Sequence, residues 1–250
     1  MKSYPYLYET HAHTRQASAC AHNTGYEMAK AYHEAGYAGI FITDHNWGGN
    51  TGVDRSLPWK EWVEKFTEGY LDAKRYADEH PDFDVFFAYE AGFNATEFLI
   101  YGISPQWLAD HPELWEASLR EHLTMVRSSG AVAIHAHPFR EEWYIPEIRL
   151  FPDLVDGVEG VNATHSSHLS DSHNDPAYDE RAVAYAKAHN LPLSAGSDMH
   201  TTHLFGGGVA FRQRLTSVED FCDAIRQDRD RLLTNGDTWF DKNGTPRHTD

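Results

Sequence analysis

The sequence predicts an α/β protein in which buried strands and helices alternate along the chain. Short apolar runs typical of parallel strands are separated by segments with the periodicity of amphipathic helices. Six of the strand-like segments end in His, Asp, Glu or Asn, side chains that suit an active site at one edge of a sheet. The length of 250 residues fits one α/β barrel or two small domains. Because no repeat, linker or change of composition divides the chain, we predict one domain over residues 1–250.

The first half of the chain shows the alternation most clearly. Its opening strand is followed by a helix that ends at Gly36, a residue that suits the C-terminal cap. A Gly- and Asn-rich loop over residues 46–58 is long enough to shape a pocket. In this half we predict strands over residues 6–8, 37–43, 85–89 and 97–101, and helices over residues 25–36, 59–80 and 112–128.

The second half continues the pattern with less regular spacing. Pro176 suits the first turn of a helix, and Ser217 suits the N-cap of the last helix. We predict strands over residues 131–134, 156–161, 191–195 and 205–211, helices over residues 176–190 and 217–227, and a loosely ordered tail over residues 235–250.

The composition limits the classes of partner. A formal net charge of −17 argues against binding to a nucleic-acid backbone, although metal ions can still make an anion site positive. The N-terminus has no apolar signal core, and no run of 18 apolar residues occurs, so we expect a soluble, cytoplasmic protein that does not bind membranes. Two cysteines do not suggest a disulfide framework. The oligomeric state cannot be read from the sequence.

The sequence contains 17 histidines, and many of them follow predicted strands. His11 and His13 are separated by one residue, so in an extended backbone both imidazoles point to the same side. The carboxyl ends of parallel strands meet on one face, where active sites form. The polar residues at the six strand ends are His11 and His13, Asp44 and His45, Glu90, His135 and His137, Asn162 with His165 nearby, and Asp198 and His200. This pattern predicts a metal site at that face.

The same residues form motifs that resemble the polymerase and histidinol phosphatase (PHP) family of metal-dependent phosphoesterases. The motifs occur in the family's order and are His11-Ala12-His13-Thr14, Thr43-Asp44-His45, Glu90, His137-Pro138-Phe139 and Ser197-Asp198-Met199-His200. The resemblance implies a distorted (βα)7-type barrel with the metal site at the C-terminal ends of the strands. It also implies two or three divalent metal ions, commonly zinc, iron or manganese.

The resemblance further implies how the ligands are shared. The first metal takes His11, His13, Glu90 and Asp198. Glu90 bridges to a second metal, which His137 also binds. His45 and His200 hold a third metal.

Two positions depart from the family's pattern. Glu97 stands where many members carry His, and it either binds the second metal or is an ordinary strand residue. Ala19 stands where an Asp or His usually serves the third metal, and it cannot coordinate anything. Cys20 or His22 can replace that ligand, and we favour His22 because imidazole tolerates oxygen-rich neighbours.

Several side chains are candidates for contact with the substrate. Arg140 and Arg15 suit the binding of phosphate oxygens, or alternatively form salt bridges at the rim. His165 can reach a leaving group, or it is a mobile loop residue. Asp198 is assigned to ligation and to orientation of the nucleophile, and His200 to assistance of the leaving group.

We therefore expect a hydrolase that cleaves a small phosphomonoester, a phosphorylated metabolite or nucleotide, by a metal-activated hydroxide. The alternatives are an amidohydrolase-like metal-dependent hydrolase and a non-catalytic metal-binding module. Four aromatic side chains in or beside the loops, Trp47, Trp59, Trp143 and Tyr144, offer stacking surfaces for a ring in the substrate.

Overall fold

The computed structural model describes residues 3–247, which form one mixed sheet surrounded by helices. The strands are β1 (Tyr6–Ala12), β2 (Gly39–Ile42), β3 (Asp84–Phe93), β4 (Thr96–Tyr101), β5 (Val132–His135), β6 (Gly157–Asn162), β7 (Leu193–Gly196), β8 (Gly207–Phe211), β9 (Leu232–Asn235), β10 (Trp239–Asp241) and β11 (Pro246–Arg247). The helices are α1 (Gly25–Glu34), α2 (Trp59–Phe66), α3 (Glu68–Glu79), α4 (Pro105–Ala109), α5 (Leu119–Ser128), α6 (Ala163–Ser166), α7 (Ala177–His189) and α8 (Val218–Arg226), with a 3₁₀ turn over Pro112–Trp115. None of these helices is long and apolar enough to cross a bilayer.

The sheet curls into a half-barrel. Its strand order is β11-β10-β9-β8-β1-β2-β3-β4-β5-β6-β7, and β1, β2 and β3 are parallel, as are β5, β6 and β7. β7 is the last strand in this order, and the residues just after it lie beside β1. There the His13 amide donates to the Met199 carbonyl at 2.8 Å. The curl therefore places the ends of β1 and β7 side by side.

The repeat of parallel strand–helix units predicted from the sequence is interrupted by one strand. β4 is antiparallel to both β3 and β5, so the α/β prediction holds while the sheet is mixed. Because β4 starts where β3 ends, its first residues lie at the same rim as the ends of the parallel strands.

The strands pack apolar side chains on both of their faces, as expected for a sheet covered by helices. β4 shows this alternation, since Leu99 and Tyr101 belong to one buried cluster and Phe98 and Ile100 to another. Phe221 of α8 packs in the first cluster. The rim is thus supported by a core on either side of the sheet.

Two helices predicted as continuous are divided. The predicted helix over residues 59–80 is split at Thr67, whose hydroxyl donates to the Val63 carbonyl at 2.9 Å. The predicted helix over residues 112–128 begins only after Ser118, which forms a capping box with Glu121.

The tail predicted to be loosely ordered is instead paired with the sheet over its described part. β9, which was not predicted, pairs with β8, and β10 and β11 form a hairpin beside it. The reason is the turn that follows Asp241. Its Oδ1 accepts from the amides of Asn243 at 2.9 Å and Thr245 at 3.0 Å, while Gly244 has a φ of +75°. Residues 248–250 lie outside the described residues.

Candidate metal centre

The metal-ligand candidates lie together at one rim of the half-barrel. Most of them follow the carboxyl ends of β1, β2, β5 and β7 or lie within β3. Glu97 reaches the same rim from the second position of the antiparallel strand β4. The side chains brought together are His11, His13, His45, Glu90, Glu97, His137, Asp198 and His200.

Glu90 is at the centre of this cluster and is completely buried. Its carboxylate oxygens lie 3.3 Å from His11 Nε2, 2.8 Å from His45 Nδ1 and 3.1 Å from His137 Nε2. His13 Nε2 lies 3.6 Å away. Burial opposes ionisation, but His11 and His45 outweigh it and hold the pKa of Glu90 well below its usual range. An ionised carboxylate among four imidazoles has the surroundings of a bridging ligand.

Asp198 completes the cluster on the side of β7. Its Oδ1 lies 3.1 Å from His13 Nε2 and 3.4 Å from His11 Nε2. Burial opposes ionisation here too, but Arg140 and His11 hold the pKa of Asp198 well below its usual range. Asp198 and His137 have φ values of +53° and +28°, which are uncommon for residues with a Cβ. Backbone strain of this kind is concentrated at functional sites.

Several buried ligand atoms make no hydrogen bond within residues 3–247. They are His11 Nε2, His45 Nδ1 and Glu90 Oε2. Each lies near another ligand atom, but the angles do not suit a hydrogen bond, so these atoms are directed at shared points between the side chains. An unpaired buried polar atom costs about 1–3 kcal/mol, and a cation at the shared point removes that cost.

The donor set fits divalent metal ions. Three ligand atoms lie within 4.8 Å of one another in each of four groups: His13, His45 and His200; His11, His137 and Asp198; His11, His13 and Glu90; and His45, Glu90 and Glu97. Imidazole and carboxylate ligands together suit zinc, iron and manganese alike. Glu97, one of the two departures from the family's pattern, faces the cluster, with Oε1 3.6 Å from His45 Nδ1 and Oε2 3.6 Å from His137 Nε2.

Glu159 is a buried residue of β6 whose role was not predicted from the sequence. It makes hydrogen bonds with two of the candidate ligands. Its Oε1 lies 2.8 Å from His11 Nδ1, and its Oε2 accepts from the His137 amide at 3.0 Å. Bonding at Nδ1 leaves Nε2 of His11 free to face the cluster. A charged residue within the apolar strand Val158-Glu159-Gly160-Val161 was the signal that could have identified it.

Asp44 belongs to a recognised motif but supports the rim instead of facing the cluster. It accepts hydrogen bonds from the Thr14 amide at 2.6 Å, the Thr14 hydroxyl at 2.7 Å and the Ser18 hydroxyl at 2.7 Å. These bonds fix the chain just after His13. As a result Arg15 points into solvent. It does not line the cavity beside the cluster, so it does not occupy the position predicted for a phosphate-binding side chain.

Arg140, in contrast, is buried beside the ligands. One of its terminal nitrogens lies 2.7 Å from Asp198 Oδ2, and its Nε donates to His165 Nε2 at 3.0 Å. His165 in turn has its Nδ1 2.8 Å from Asp179 Oδ1. His165 is therefore a buried support for Arg140. Its side chain is absent from the cavity wall, where the sequence predicted contact with the substrate, and it is not exposed as a mobile loop residue would be.

The third group of ligands is formed by rings that stack. His13 lies between His45 and His200, with ring centroids 4.4 Å and 4.5 Å away. Cys20 lines the same cavity as His45 and His200. Burial raises its pKa, but these two imidazoles outweigh the effect and lower the pKa to about 7. The His22 side chain is exposed at the mouth of the cavity.

A cavity of about 910 Å³ opens onto the cluster. Trp143 and Tyr144 form part of its wall, whereas Trp47 and Trp59 do not. The last two pack against each other with centroids 4.9 Å apart, at the edge of a buried cluster. The predicted stacking surface is thus reduced to Trp143, whose side chain is 93% exposed, and Tyr144.

Comparison with solved structures shows the same fold in bacterial proteins. A two-domain protein from Bacteroides vulgatus that contains a predicted PHP-like metal-dependent phosphoesterase is 13% identical, with a TM-score of 0.65 over 92% of this chain and 64% of that one. PsfC from Pseudomonas syringae is 16% identical, with a TM-score of 0.60 over 98% and 91%. A protein from Bifidobacterium adolescentis, provisionally assigned as a metal-dependent phosphoesterase, is 14% identical, with a TM-score of 0.52 over 87% and 96%.

The chain thus spans less than two thirds of the Bacteroides protein. No curated protein matches the sequence. A family model described as PHP-associated matches residues 176–229, which include α7 and β7. This match and the shared fold support the resemblance of the chain to PHP-like proteins.

Proposed function

We propose that this protein is a metal-dependent phosphoesterase that hydrolyses a small phosphomonoester. The observation that carries the proposal is the set of buried imidazole and carboxylate atoms around Glu90 that face shared points without hydrogen bonds. Divalent ions, when bound, supply Lewis acidity and lower the pKa of water. Zinc, iron and manganese all fit.

The proposed ligand assignment follows the resemblance to the PHP family. His11, His13, Glu90 and Asp198 would hold a first metal. Glu90, His137 and Glu97 would hold a second. His45 and His200 would hold a third.

The chain's own residues bind and orient the phosphate. Arg140 uses Nε for His165 and one terminal nitrogen for Asp198, so its other terminal nitrogen is available to phosphate oxygens in the cavity. Its charge neutralises the oxygens as negative charge spreads over them during the transfer. Asp198 accepts a hydrogen bond from the attacking water and orients it. His200, partly exposed to the cavity, protonates the departing alcohol when no third metal occupies its position.

The test combines metal analysis with a screen of phosphorylated metabolites. We expect the purified protein to retain transition metal and to release inorganic phosphate from at least one small phosphomonoester. The Glu90→Gln variant should lose both metal and activity, since it removes the shared carboxylate charge. Glu64→Gln, at an exposed position of α2, is the matched control and should behave like the wild type.

A protein that fails to retain transition metal under metal-replete conditions contradicts the proposal. So does a Glu90→Gln variant with full phosphatase activity. The screen should include amides and lactones. Turnover of these without release of phosphate would favour the amidohydrolase alternative.

A further inference from the structure

We propose that Asp179 and His165 are positioning residues that hold the guanidinium of Arg140 in the orientation that binds phosphate. The inference rests on the proposed function, since it concerns the side chain that would bind the phosphate of the substrate. The contacts run from Asp179 through His165 to Arg140, and they end at Asp198 in the metal cluster.

Three segments that are separate along the chain bring these side chains together. Arg140 comes from the segment after β5, His165 lies in the short helix α6 that follows β6, and Asp179 lies in the first turn of α7. Their exposed fractions are 5%, 1% and 9%. Because all three are buried, water competes little for the hydrogen bonds between them.

The contacts of His165 decide which of its ring nitrogens carries the proton. Arg140 Nε lies 3.0 Å from His165 Nε2, and a guanidinium can only donate, so Nε2 has to accept. The proton of the neutral ring is therefore on Nδ1, which lies 2.8 Å from Asp179 Oδ1. Asp179 is thus the acceptor that stabilises this tautomer.

Asp179 can accept from His165 in either of its protonation states. Its other oxygen, Oδ2, lies 2.7 Å from the Ser166 hydroxyl and 3.1 Å from the Asn162 amide. Burial raises the pKa of Asp179 to about 8 against the effect of these hydrogen bonds. A proton on Oδ2 has the Ser166 oxygen as its acceptor, so Oδ1 remains an acceptor for His165 whether or not the carboxyl group is ionised.

The fixed tautomer determines the plane of the Arg140 guanidinium. Its Nε is held by His165, and one terminal nitrogen lies 2.7 Å from Asp198 Oδ2. Two contacts fix the orientation of a rigid planar group, which leaves the other terminal nitrogen for a phosphate in the cavity. In the opposite tautomer a proton on Nε2 would face the Nε–H of Arg140. Arg140 would then keep its charge and lose its orientation.

A purely structural role for Asp179 can be separated from this one. The contacts of Oδ2 with Ser166 and the Asn162 amide join α7 to α6 and to the end of β6. The contact with His165 uses the other oxygen, Oδ1. Variants on the two sides of the carboxyl group therefore distinguish support of the fold from positioning of Arg140.

The tautomer of His165 is a readout that does not depend on activity. The full chain is labelled with ¹⁵N in its histidines and loaded with zinc, and two-bond ¹H–¹⁵N correlations are recorded. The ring of His165 is identified by the signals that His165→Gln lacks. The wild type should carry the proton on Nδ1. Asp179→Asn should move it to Nε2, because the Asn162 amide retains the single oxygen and the NH₂ group turns toward Nδ1.

Inhibition by inorganic phosphate reports on the orientation of Arg140. His165→Leu removes the acceptor for Nε and should raise the inhibition constant by about tenfold, the worth of one hydrogen bond to a charged group. His165→Gln supplies an oxygen acceptor and should recover most of the affinity. Ser166→Ala should lower the free energy of unfolding without changing the inhibition constant. Glu180→Gln, at an exposed position of α7, is the matched control and should behave like the wild type.

A double variant tests whether His165 acts through Arg140. In an Arg140→Lys background, His165→Leu should have little further effect on the inhibition constant, because the group that it orients is absent. A full additional effect in that background would show that His165 acts by another route and would overturn the inference.

The inference is also overturned by a proton on Nε2 in the wild type, by an unchanged tautomer in Asp179→Asn, or by equal inhibition constants for the wild type and His165→Leu. Each of these results leaves the phosphoesterase proposal intact if Glu90→Gln still abolishes metal binding and activity. A wild type that hydrolyses no phosphomonoester overturns the proposed function, and with it the role assigned to Arg140.

Discussion

Replacement of Glu159 by Gln should weaken metal binding although this residue is not a ligand. Glu159 receives hydrogen bonds from three donors, at 2.8 Å from His11 Nδ1, 3.0 Å from the His137 amide and 3.0 Å from Asn162 Nδ2. The first orients an imidazole, and the second fixes the backbone of a strained ligand residue. Both proposed metals that share Glu90 therefore depend on this carboxylate.

The magnitude follows from the loss of one acceptor. Glutamine keeps a single oxygen and presents an amide NH₂ where the second oxygen stood, so a donor of His11, His137 or Asn162 meets another donor. Loss of a partner that orients a ligating histidine typically lowers metal affinity by about 10–100-fold. That corresponds to about 1.4–2.8 kcal/mol at 25 °C.

The assay is a competition titration with a chromophoric chelator, run on wild type, Glu159→Gln and the exposed control Glu64→Gln. Glu64→Gln should match the wild type. Circular dichroism confirms that each variant is folded before it is titrated. An unchanged affinity in Glu159→Gln would show that His11 and His137 are held in place without this carboxylate, and the reasoning would be wrong.

Two further predictions concern Arg140 and His122. Arg140→Lys should lower kcat/KM by about 10–100-fold. The single ammonium group of lysine lacks the planar guanidinium with which Arg140 contacts His165, Asp198 and a phosphate at the same time. Arg15→Lys should leave kcat/KM unchanged. Equal kcat/KM values for the two variants in steady-state kinetics would contradict the role of Arg140 in phosphate binding. His122 is buried and its pKa is lowered to about 4 by burial, so the folded state keeps it neutral. Between about pH 6.5 and 4 the unfolded state therefore binds one more proton, and the free energy of unfolding falls with decreasing pH by up to about 3 kcal/mol. Urea titrations across that pH range should show a smaller loss of the free energy of unfolding in His122→Gln than in the wild type. An equal dependence on pH in the two proteins would contradict the prediction.

The sequence predicted the positions of the candidate ligands because strand ends can be recognised from short apolar runs. His11, Glu90 and Asp198 were all identified in this way, and they lie together in the structure. The path of the chain beyond each strand end was harder to predict. The bonds from Asp44 to Thr14 turn Arg15 outward, and spacing along the chain carries no information about that turn.

The positions of buried polar residues that support the site were also not predicted from the sequence. His165 looked like a loop residue because its neighbours are polar, yet its ring is buried by Arg140 and Asp179 from distant segments. The hairpin after β9 was missed for a different reason. The turn after Asp241, which contains Asn243 and Gly244, was a local signal that outweighed the polar composition of the tail.

The reversed strand β4 has a consequence for how the site is assembled during folding. Glu90 and Glu97 belong to one hairpin, joined through the turn at Asn94 and Ala95, so this part of the site is local in sequence and forms when the hairpin closes. Most of the imidazoles around it arrive from much more distant segments. Until they do, the two carboxylates lie on neighbouring strands close to the turn of the hairpin and repel each other. A metal ion captured at that stage would relieve the repulsion and hold the hairpin in register while β1 and β7 close around it.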